Sequence, residues 1–160
     1  MIKEKFPVTS AIRFLREHQV DFIERPYKYE EHGGTGTAAK ELGVDEHLVI
    51  KTLVMEDDKK RPFITLMHGD REVSTKALAR TIGVKSVNPC DPQIALKHTG
   101  YMVGGISPFG TKKPLPVYVE ETILGLPKIF INAGRRGLLA EISPSDLVRV
   151  LNPIPVRVAR

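Results

Sequence analysis

The chain has almost no cysteine: Cys90 is the only one among its 160 residues. A lone cysteine excludes an internal disulfide and a cysteine-based zinc cluster, and it is typical of a protein kept in a reducing compartment. Cys90 lies in the segment NPCDP, where no basic residue is close enough in sequence to activate a thiol. We therefore interpret Cys90 as a structural thiol.

The chain also lacks a long apolar run. No stretch is long enough to cross a bilayer as a helix. The first residues, MIKEKFPVTSAI, lack the apolar core of a signal peptide. These two absences predict a cytoplasmic protein with no membrane partner.

Common catalytic and metal-binding motifs are missing as well. The sequence contains no HExxH, no GxSxG, no Walker loop and no Rossmann fingerprint. None of its five histidines shares metal-ligand spacing with another. We expect them to be surface or core residues rather than ligands.

Basic residues outnumber acidic residues in the chain. Lys and Arg number 24 against 19 Asp and Glu, which gives a net charge of +5 at pH 7. This balance mildly favours an acidic partner such as nucleic acid. The length, without an internal repeat or a break in composition, predicts a single domain over residues 1–160.

Short helices and strands are intermixed along the chain. Capped amphipathic stretches predict helices, and apolar or alternating stretches predict strands. Hairpin-length connections argue against a purely parallel sheet, so the predicted fold class is mixed α/β. Helices are predicted at 10–19, 38–42, 76–82, 92–97 and 143–151, strands at 21–29, 47–57, 61–68, 84–87, 115–121, 128–132 and 138–142, a last edge strand in the segment PVRVA, and a flexible loop at 31–37.

One lysine interrupts the most apolar strand. The run Val49–Met55 is apolar on both faces except at Lys51 and Thr52. An ammonium group there is costly unless it is paired or reaches water. Lys51 therefore either extends to the end of the strand or points into a site, where it would act as a fixed cation for a phosphate or oxyanion, or as a general base.

A glycine-rich loop, Thr99–Lys113, is the most unusual segment. Gly104 and Gly105 permit positive φ and close approach of another molecule, and Pro108 bounds the turn. The lysine pair that ends the loop, at 112 and 113, suggests an anionic ligand. An ordinary turn with two solvated lysines is the equally weighted alternative.

A second loop follows the strand predicted at 128–132. It carries Gly134 and Gly137 around Arg135 and Arg136, and guanidinium groups suit phosphate. Solvated arginines in a β-turn are the alternative. Two tyrosines, Tyr27 and Tyr101, are suited either to stacking on a base or to the core.

Together, these residues resemble the YbaK-type bacterial aminoacyl-tRNA deacylases, relatives of the editing domain of bacterial prolyl-tRNA synthetases. The resemblance rests on IKTLV around Lys51, the run TGYMVGGISP at 99–108, the following FGTKK, and GRRG at 134–137. It covers about 10–150. It implies a mixed α/β fold with a curved, barrel-like sheet flanked by short helices. It also implies trans-editing, chiefly of cysteine mischarged onto proline tRNA, with no metal or cofactor.

The resemblance also assigns roles to residues. Lys51 and Gly104 would be catalytic, and the partner would be mischarged tRNA, held through its 3′ aminoacyl end and acceptor stem, with prolyl-tRNA synthetase as a further partner. The substrate itself would be bound by Tyr27, Thr52, Gly105, Ile106, Ser107, Pro108, Asn132 and Gly134. The tRNA backbone would be bound by Lys112, Lys113, Arg135 and Arg136.

Two departures keep other readings open. Asn132 stands where the family often has serine, and Leu139 stands at a nearby position that is acidic in some members. The first alternative is a deacylase for alanine or another small amino acid. The second is a non-catalytic module that binds tRNA or nucleotide ends.

Overall fold

The computed structural model describes residues 8–160, and it confirms the mixed α/β class. Its helices are α1 (Ser10–Glu17), α2 (Gly34–Leu42), α3 (Thr75–Ile82), α4 (Pro92–Thr99) and α5 (Pro144–Leu151). Its strands are β1 (Ile23–Pro26), β2 (Val49–Asp57), β3 (Pro62–His68), β4 (Val87–Pro89), β5 (Val117–Glu120), β6 (Ile129–Arg135), β7 (Leu138–Ile142) and β8 (Ile154–Val156), with 3₁₀ turns at Glu46–Leu48 and Glu121–Gly125. No helix in the described part of the chain is both long and apolar enough to span a membrane.

Local signals set most helix ends. The side chains of Thr9, Ser74 and Ser143 accept hydrogen bonds from the first turns of α1, α3 and α5. Left-handed glycines, Gly43 and Gly83, end α2 and α3 as predicted.

The segment 31–37 differs from its prediction as a flexible loop, because α2 begins within it at Gly34. The first turn of α2 is held by a contact that is remote in sequence. The Thr35 hydroxyl lies 2.8 Å from a carboxylate oxygen of Glu46 and 3.2 Å from the Gly69 carbonyl.

All eight strands form one sheet in the order β1-β7-β6-β2-β3-β5-β8, with β4 also paired to β2. The predicted β2–β3 hairpin is antiparallel and continuous from Ile50 to Glu56. The predicted barrel-like sheet is open rather than closed: within residues 8–160, the end strands β1 and β8 do not pair with each other.

The centre of β2 has a strand partner on one side only. On the side of β2 away from β3, β6 pairs with Val49 and Ile50, and β4 pairs with Met55 to Asp57. The stretch from Lys51 to Val54 lies between these two pairings. This gap in the sheet opens the cavity described below.

The same stretch explains how a lysine fits an apolar strand. Alternation along β2 puts Lys51 on the face that carries Val49 and Met55. Val49 packs in a cluster with α2, whereas Met55 packs in a separate cluster with α3. Lys51 therefore projects between two small cores, while the main core lies on the opposite face against α1 and α5.

Candidate functional site

A cavity of about 820 Å³ opens beside the stretch of β2 that has a partner strand on one side only. Its walls come from the segment between β1 and α2, from β2, from the glycine-rich loop and from β6–β7. Lys51 and Gly104 both line it. The two residues are far apart in sequence, and the sheet topology brings them to one cleft.

Lys51 is half-buried and its ammonium has a defined partner. Its Nζ donates to the Arg71 carbonyl at 2.6 Å, in the turn after β3. No carboxylate within residues 8–160 forms an ion pair with it. The ammonium therefore keeps its charge available to an anion in the cavity.

Gly104 occupies a position where a side chain would not fit. Its φ is +92°, and an added Cβ would lie 2.6 Å from the Tyr29 hydroxyl oxygen and 3.2 Å from Arg136 Nε. The neighbouring Gly105 N–H donates to the Met102 carbonyl at 2.8 Å. The backbone of this loop is therefore packed closely against the tyrosine and the arginine.

Asn132 joins the two loops that sequence analysis singled out. Its Nδ2 donates to the carbonyls of Gly104 and Arg135, each at 3.2 Å. Its Oδ1 accepts from the Gly134 N–H at 2.7 Å. A register shift between Asn132 and Arg135 in the β6–β7 pairing creates this turn. Asn132 also lines the cavity, so its amide fixes the position of Gly104.

Two tyrosines and an arginine form one end of the cavity. Burial raises the pKa of Tyr27, which keeps its hydroxyl protonated. Tyr29 was not singled out by sequence analysis, although Tyr27 and Tyr29 are spaced to share a face of an extended segment. The Arg136 guanidinium lies 5.2 Å from the Tyr29 ring centre, and its Nε donates to the Val103 carbonyl at 2.9 Å.

The other predicted site residues fall into two groups. Thr52 and Ile106 line the cavity, and the Thr52 hydroxyl is buried without a hydrogen-bond partner. The remainder lie outside the cavity wall: Gly105, Ser107, Pro108, Lys112, Lys113, Gly134 and Arg135. Ser107 is fully buried and accepts from the Phe109 N–H, and Gly134 packs against Thr9 and Tyr101.

Lys112 and Lys113, which end the glycine-rich loop, have exposed side chains. Their backbone N–H groups donate to the Thr99 and His98 carbonyls at the end of α4. The backbone thus ties this part of the loop to a helix and leaves both ammonium groups in solvent.

Sequence analysis missed the acidic side of the cavity. Glu46 and Thr35 both line it, together with Gly36 and Gly69. No local motif marks them, because Thr35 lies in a segment predicted as a loop and Glu46 in a 3₁₀ turn before β2. Only the fold brings them to the cavity that Lys51 also lines.

Cys90 also lines the cavity, but its chemistry is that of an inert thiol. Its Sγ donates to a Glu56 carboxylate oxygen at 3.4 Å. Burial raises the pKa of the Cys90 thiol to about 12. The thiolate, which is the nucleophilic form, is therefore scarce at neutral pH.

Outside the cavity, the fold brings together His47, His68 and Asp70, with potential ligand atoms within 4.8 Å of one another. The imidazole rings are stacked at 3.7 Å and nearly parallel, at 6°. An ion in the plane of one ring would lie out of the plane of the other. His68 also uses both ring nitrogens, towards the His47 carbonyl and the Thr122 hydroxyl. The arrangement therefore suits two stacked rings, each held by hydrogen bonds to other groups, better than a metal centre.

Comparison with known proteins gives consistent matches. Residues 32–150 match the family described as "Aminoacyl-tRNA editing domain". An Enterococcus faecalis protein with the provisional name Cys-tRNA(Pro)/Cys-tRNA(Cys) deacylase EbsC is 32% identical over 145 residues, which is 90% of this chain and 88% of that protein. A proline–tRNA ligase of Thermodesulfovibrio yellowstonii is 37% identical over 71 residues, 44% of this chain and 12% of the ligase.

A solved structure has the same fold. It is described as a provisionally assigned trans-editing enzyme for prolyl-tRNA synthetase, and it superimposes with a TM-score of 0.81 over 94% of this chain and 97% of its own. Its sequence identity is 23%. The family match covers most of the cavity wall, including Lys51 and Gly104, whereas Tyr27 and Tyr29 precede the matched residues.

Proposed function

The chain belongs to the aminoacyl-tRNA editing domain family, and we propose that it is a trans-editing deacylase whose preferred substrate is cysteine esterified to proline tRNA. The reaction is hydrolysis of the ester between the amino acid and the 3′-terminal ribose. The observation that carries this proposal is the single cavity shared by Lys51 and Gly104. The cytoplasm, where tRNA is charged, is the matching location.

The size of the cavity supports a small aminoacyl group attached to a nucleoside. A volume of about 820 Å³ is within the range of sites that enclose a small ligand. Lys51 would hold the phosphate that precedes the terminal adenosine. Its ammonium suits this role because it is a compact charge at the cavity wall whose partner among residues 8–160 is the Arg71 carbonyl.

The glycine-rich loop would orient the ester. Gly105 cannot contribute its N–H, because that group already bonds to Met102. The N–H groups of Gly104 and Ile106 have no acceptor within residues 8–160, so these two would bind the developing oxyanion. A donor of this kind typically contributes about 10²–10³ in rate.

Cys90 is the only cysteine of the chain, and it stays protonated, so no protein thiol is available as a nucleophile. The cysteine thiol of the substrate would attack its own ester carbon. The bond to the ribose oxygen would then break, that oxygen would take the thiol proton, and water would hydrolyse the released thiolactone to free cysteine. Attack by water is the other route, and the protein would contribute geometry in both cases.

A second substrate class is supported by one observation. Leu139, buried at 4% exposure, lines the cavity with Val49, so this wall is apolar. An apolar wall suits the methyl group of alanine as well as a thiol, and alanine would require water as the nucleophile.

The proposed partners are tRNA and prolyl-tRNA synthetase. The acceptor-stem backbone of the tRNA would be bound by Lys112, Lys113, Arg135 and Arg136.

The experiment is a deacylation panel with Cys-tRNA(Pro), Ala-tRNA(Pro), Pro-tRNA(Pro) and Cys-tRNA(Cys). We expect cysteine to be released fastest from proline tRNA, and Lys51→Ala to reduce that rate at least a hundredfold. Lys59→Ala, an exposed lysine in the β2–β3 turn, is the matched control and should retain full activity.

Three results would contradict the proposal. Normal turnover by a folded Lys51→Ala variant would remove Lys51 from the site. Faster release of alanine would transfer the assignment to the second substrate class. Tight binding of all four tRNAs without turnover would identify a non-catalytic module.

A further inference from the structure

We propose that Glu46 binds the α-ammonium group of the esterified amino acid, so that the enzyme distinguishes charged from uncharged tRNA. This inference rests on the proposed function. It concerns a residue that no motif indicates, on the wall of the cavity that Lys51 also lines.

The position of Glu46 is fixed by its neighbours. The Thr35 hydroxyl donates to Glu46 Oε2 at 2.8 Å. The carboxylate lies against Gly36, where an added Cβ would be 3.7 Å from Oε2 and 3.9 Å from Oε1. Gly36 and Glu46 both line the cavity.

Glu46 has no cationic partner of its own. No Lys, Arg or His within residues 8–160 forms an ion pair with it. Lys51 is engaged with the Arg71 carbonyl instead. The cavity therefore presents a carboxylate and an ammonium that do not neutralise each other.

Both charges have counterparts at the end of a charged tRNA. The phosphodiester is the anion that Lys51 would hold. The α-ammonium is the cation at this end when the amino acid is neutral, as cysteine and alanine are. A hydrogen bond between two charged groups is among the stronger polar contacts, so this carboxylate matches the ammonium.

Two further carboxylates line the cavity, but they are less suited. The side chains of Glu30 and Glu31 are exposed, where solvent screens a charge–charge contact. Glu30 Oε2 accepts a hydrogen bond from the Thr37 hydroxyl at 3.3 Å. Glu46 is half-buried and oriented.

The ammonium contact has a consequence for turnover. Deacylation removes the amino acid, and with it the cation that Glu46 would bind. Uncharged tRNA, which is the product, would then bind more weakly than the substrate and would compete poorly for the cavity.

A purely structural role is the alternative explanation. A carboxylate near the start of α2, bonded to Thr35, also stabilises the amino end of that helix. That role predicts equal loss of activity with every substrate when Glu46 is changed. The two explanations are therefore separated by a substrate without an amino group.

The test compares Cys-tRNA(Pro) with the same tRNA carrying 3-mercaptopropionate, which keeps the thiol and the ester but lacks the amine. Glu46→Gln should reduce kcat/KM about ten- to a hundredfold for the cysteinyl ester and leave the 3-mercaptopropionyl ester unchanged. For each ester, kcat/KM of the variant is divided by kcat/KM of the wild type, which cancels the difference in intrinsic reactivity between the two esters. Glu31→Gln, which changes a second carboxylate of the same cavity, should leave both ratios near one.

Each other outcome is informative. Equal losses for both esters, or no loss for either, would overturn the role of Glu46 and leave the deacylase assignment standing. A wild-type protein that cleaves neither ester would overturn the deacylase assignment itself. If Glu46→Gln does not fold, wild-type binding decides: a non-hydrolysable 3′-amide of cysteine should bind at least tenfold more tightly than its amine-free counterpart, and equal affinities would reject the inference.

Discussion

At the scale of single residues, the site depends on close packing between groups that are distant in sequence. Gly104 touches Tyr29 and Arg136, and its carbonyl accepts from Asn132. Sequence analysis could select Gly104 and Arg136, because glycine and arginine in loops are recognisable. It could not pair them, because their contact depends on how β6 and β7 turn beside the glycine-rich loop.

The first residue-scale prediction concerns Gly104→Ala. The positive φ and the 2.6 Å approach to the Tyr29 hydroxyl oxygen should displace the loop, at a cost of about 1 kcal/mol in stability and a fall of at least tenfold in deacylation. Gly125→Ala is the control, since an added Cβ there meets nothing within 4 Å. Steady-state deacylation and thermal melting would be measured on both variants; full activity in Gly104→Ala would exclude a role for this backbone.

The second residue-scale prediction separates two roles of Arg136. If its stacking on Tyr29 and its bond to the Val103 carbonyl position the loop, then Arg136→Lys, which keeps the charge, should still lose about tenfold in kcat. If Arg136 only neutralises a phosphate, the lysine variant should keep kcat, and Arg136→Ala should weaken tRNA binding in a salt-dependent way. Rates at two salt concentrations distinguish the two roles.

At the scale of elements, the local signals were sufficient for most helices and for the β2–β3 hairpin. Serine and threonine caps mark the starts of α1, α3 and α5, and a glycine ends α3, because these signals act within a few residues. The prediction was wrong for the start of α2, which lies at Gly34, where Thr35 contacts Glu46 and Gly69. The prediction at 84–87 was displaced for a similar reason: β4 is Val87–Pro89 because that is where it pairs with β2.

The element-scale prediction concerns Asn132, which connects the turn after β6 to the glycine-rich loop. Asn132→Ala should remove the hydrogen bonds to two carbonyls and lower the free energy of unfolding by about 1–3 kcal/mol. Urea denaturation would measure this loss. Asn88→Ala, at an exposed position of β4, should change stability by less than about 0.5 kcal/mol; equal effects of the two variants would show that Asn132 does not join the loops.

At the scale of the whole molecule, the open sheet places a buried imidazole where its protonation affects stability. His68 is 1% exposed and stacks on His47, near Asp70. Burial lowers the pKa of His68 below its ordinary value of 6.5. The unfolded chain therefore takes up a proton at a higher pH than the folded protein does.

The sign of the whole-molecule prediction follows from that difference. The stability from neutral His68 is fully present above pH 6.5 and is lost as the pH falls below that value towards the pKa of the folded state. Melting temperatures measured from pH 8 to pH 5 should fall on the acid side. His68→Gln should reduce this fall in melting temperature. The control is His98→Gln, at a second histidine whose pKa burial lowers, and it should retain the part of the fall that His68 causes. An unchanged acid slope in His68→Gln would contradict the prediction.

The sequence by itself determined the mixed α/β class, most helix boundaries, the central hairpin and the choice of Lys51 and Gly104 as site candidates. These features depend on neighbouring residues: caps, glycine stops, alternation, and a charge that is out of place in an apolar run. Only the tertiary structure decided that the sheet stays open, that β2 lacks a second partner strand beside Lys51, and that Tyr29, Arg136 and Glu46 line the same cavity. Those features depend on contacts between segments far apart in the chain, which form only when the strands pair and bury their apolar faces.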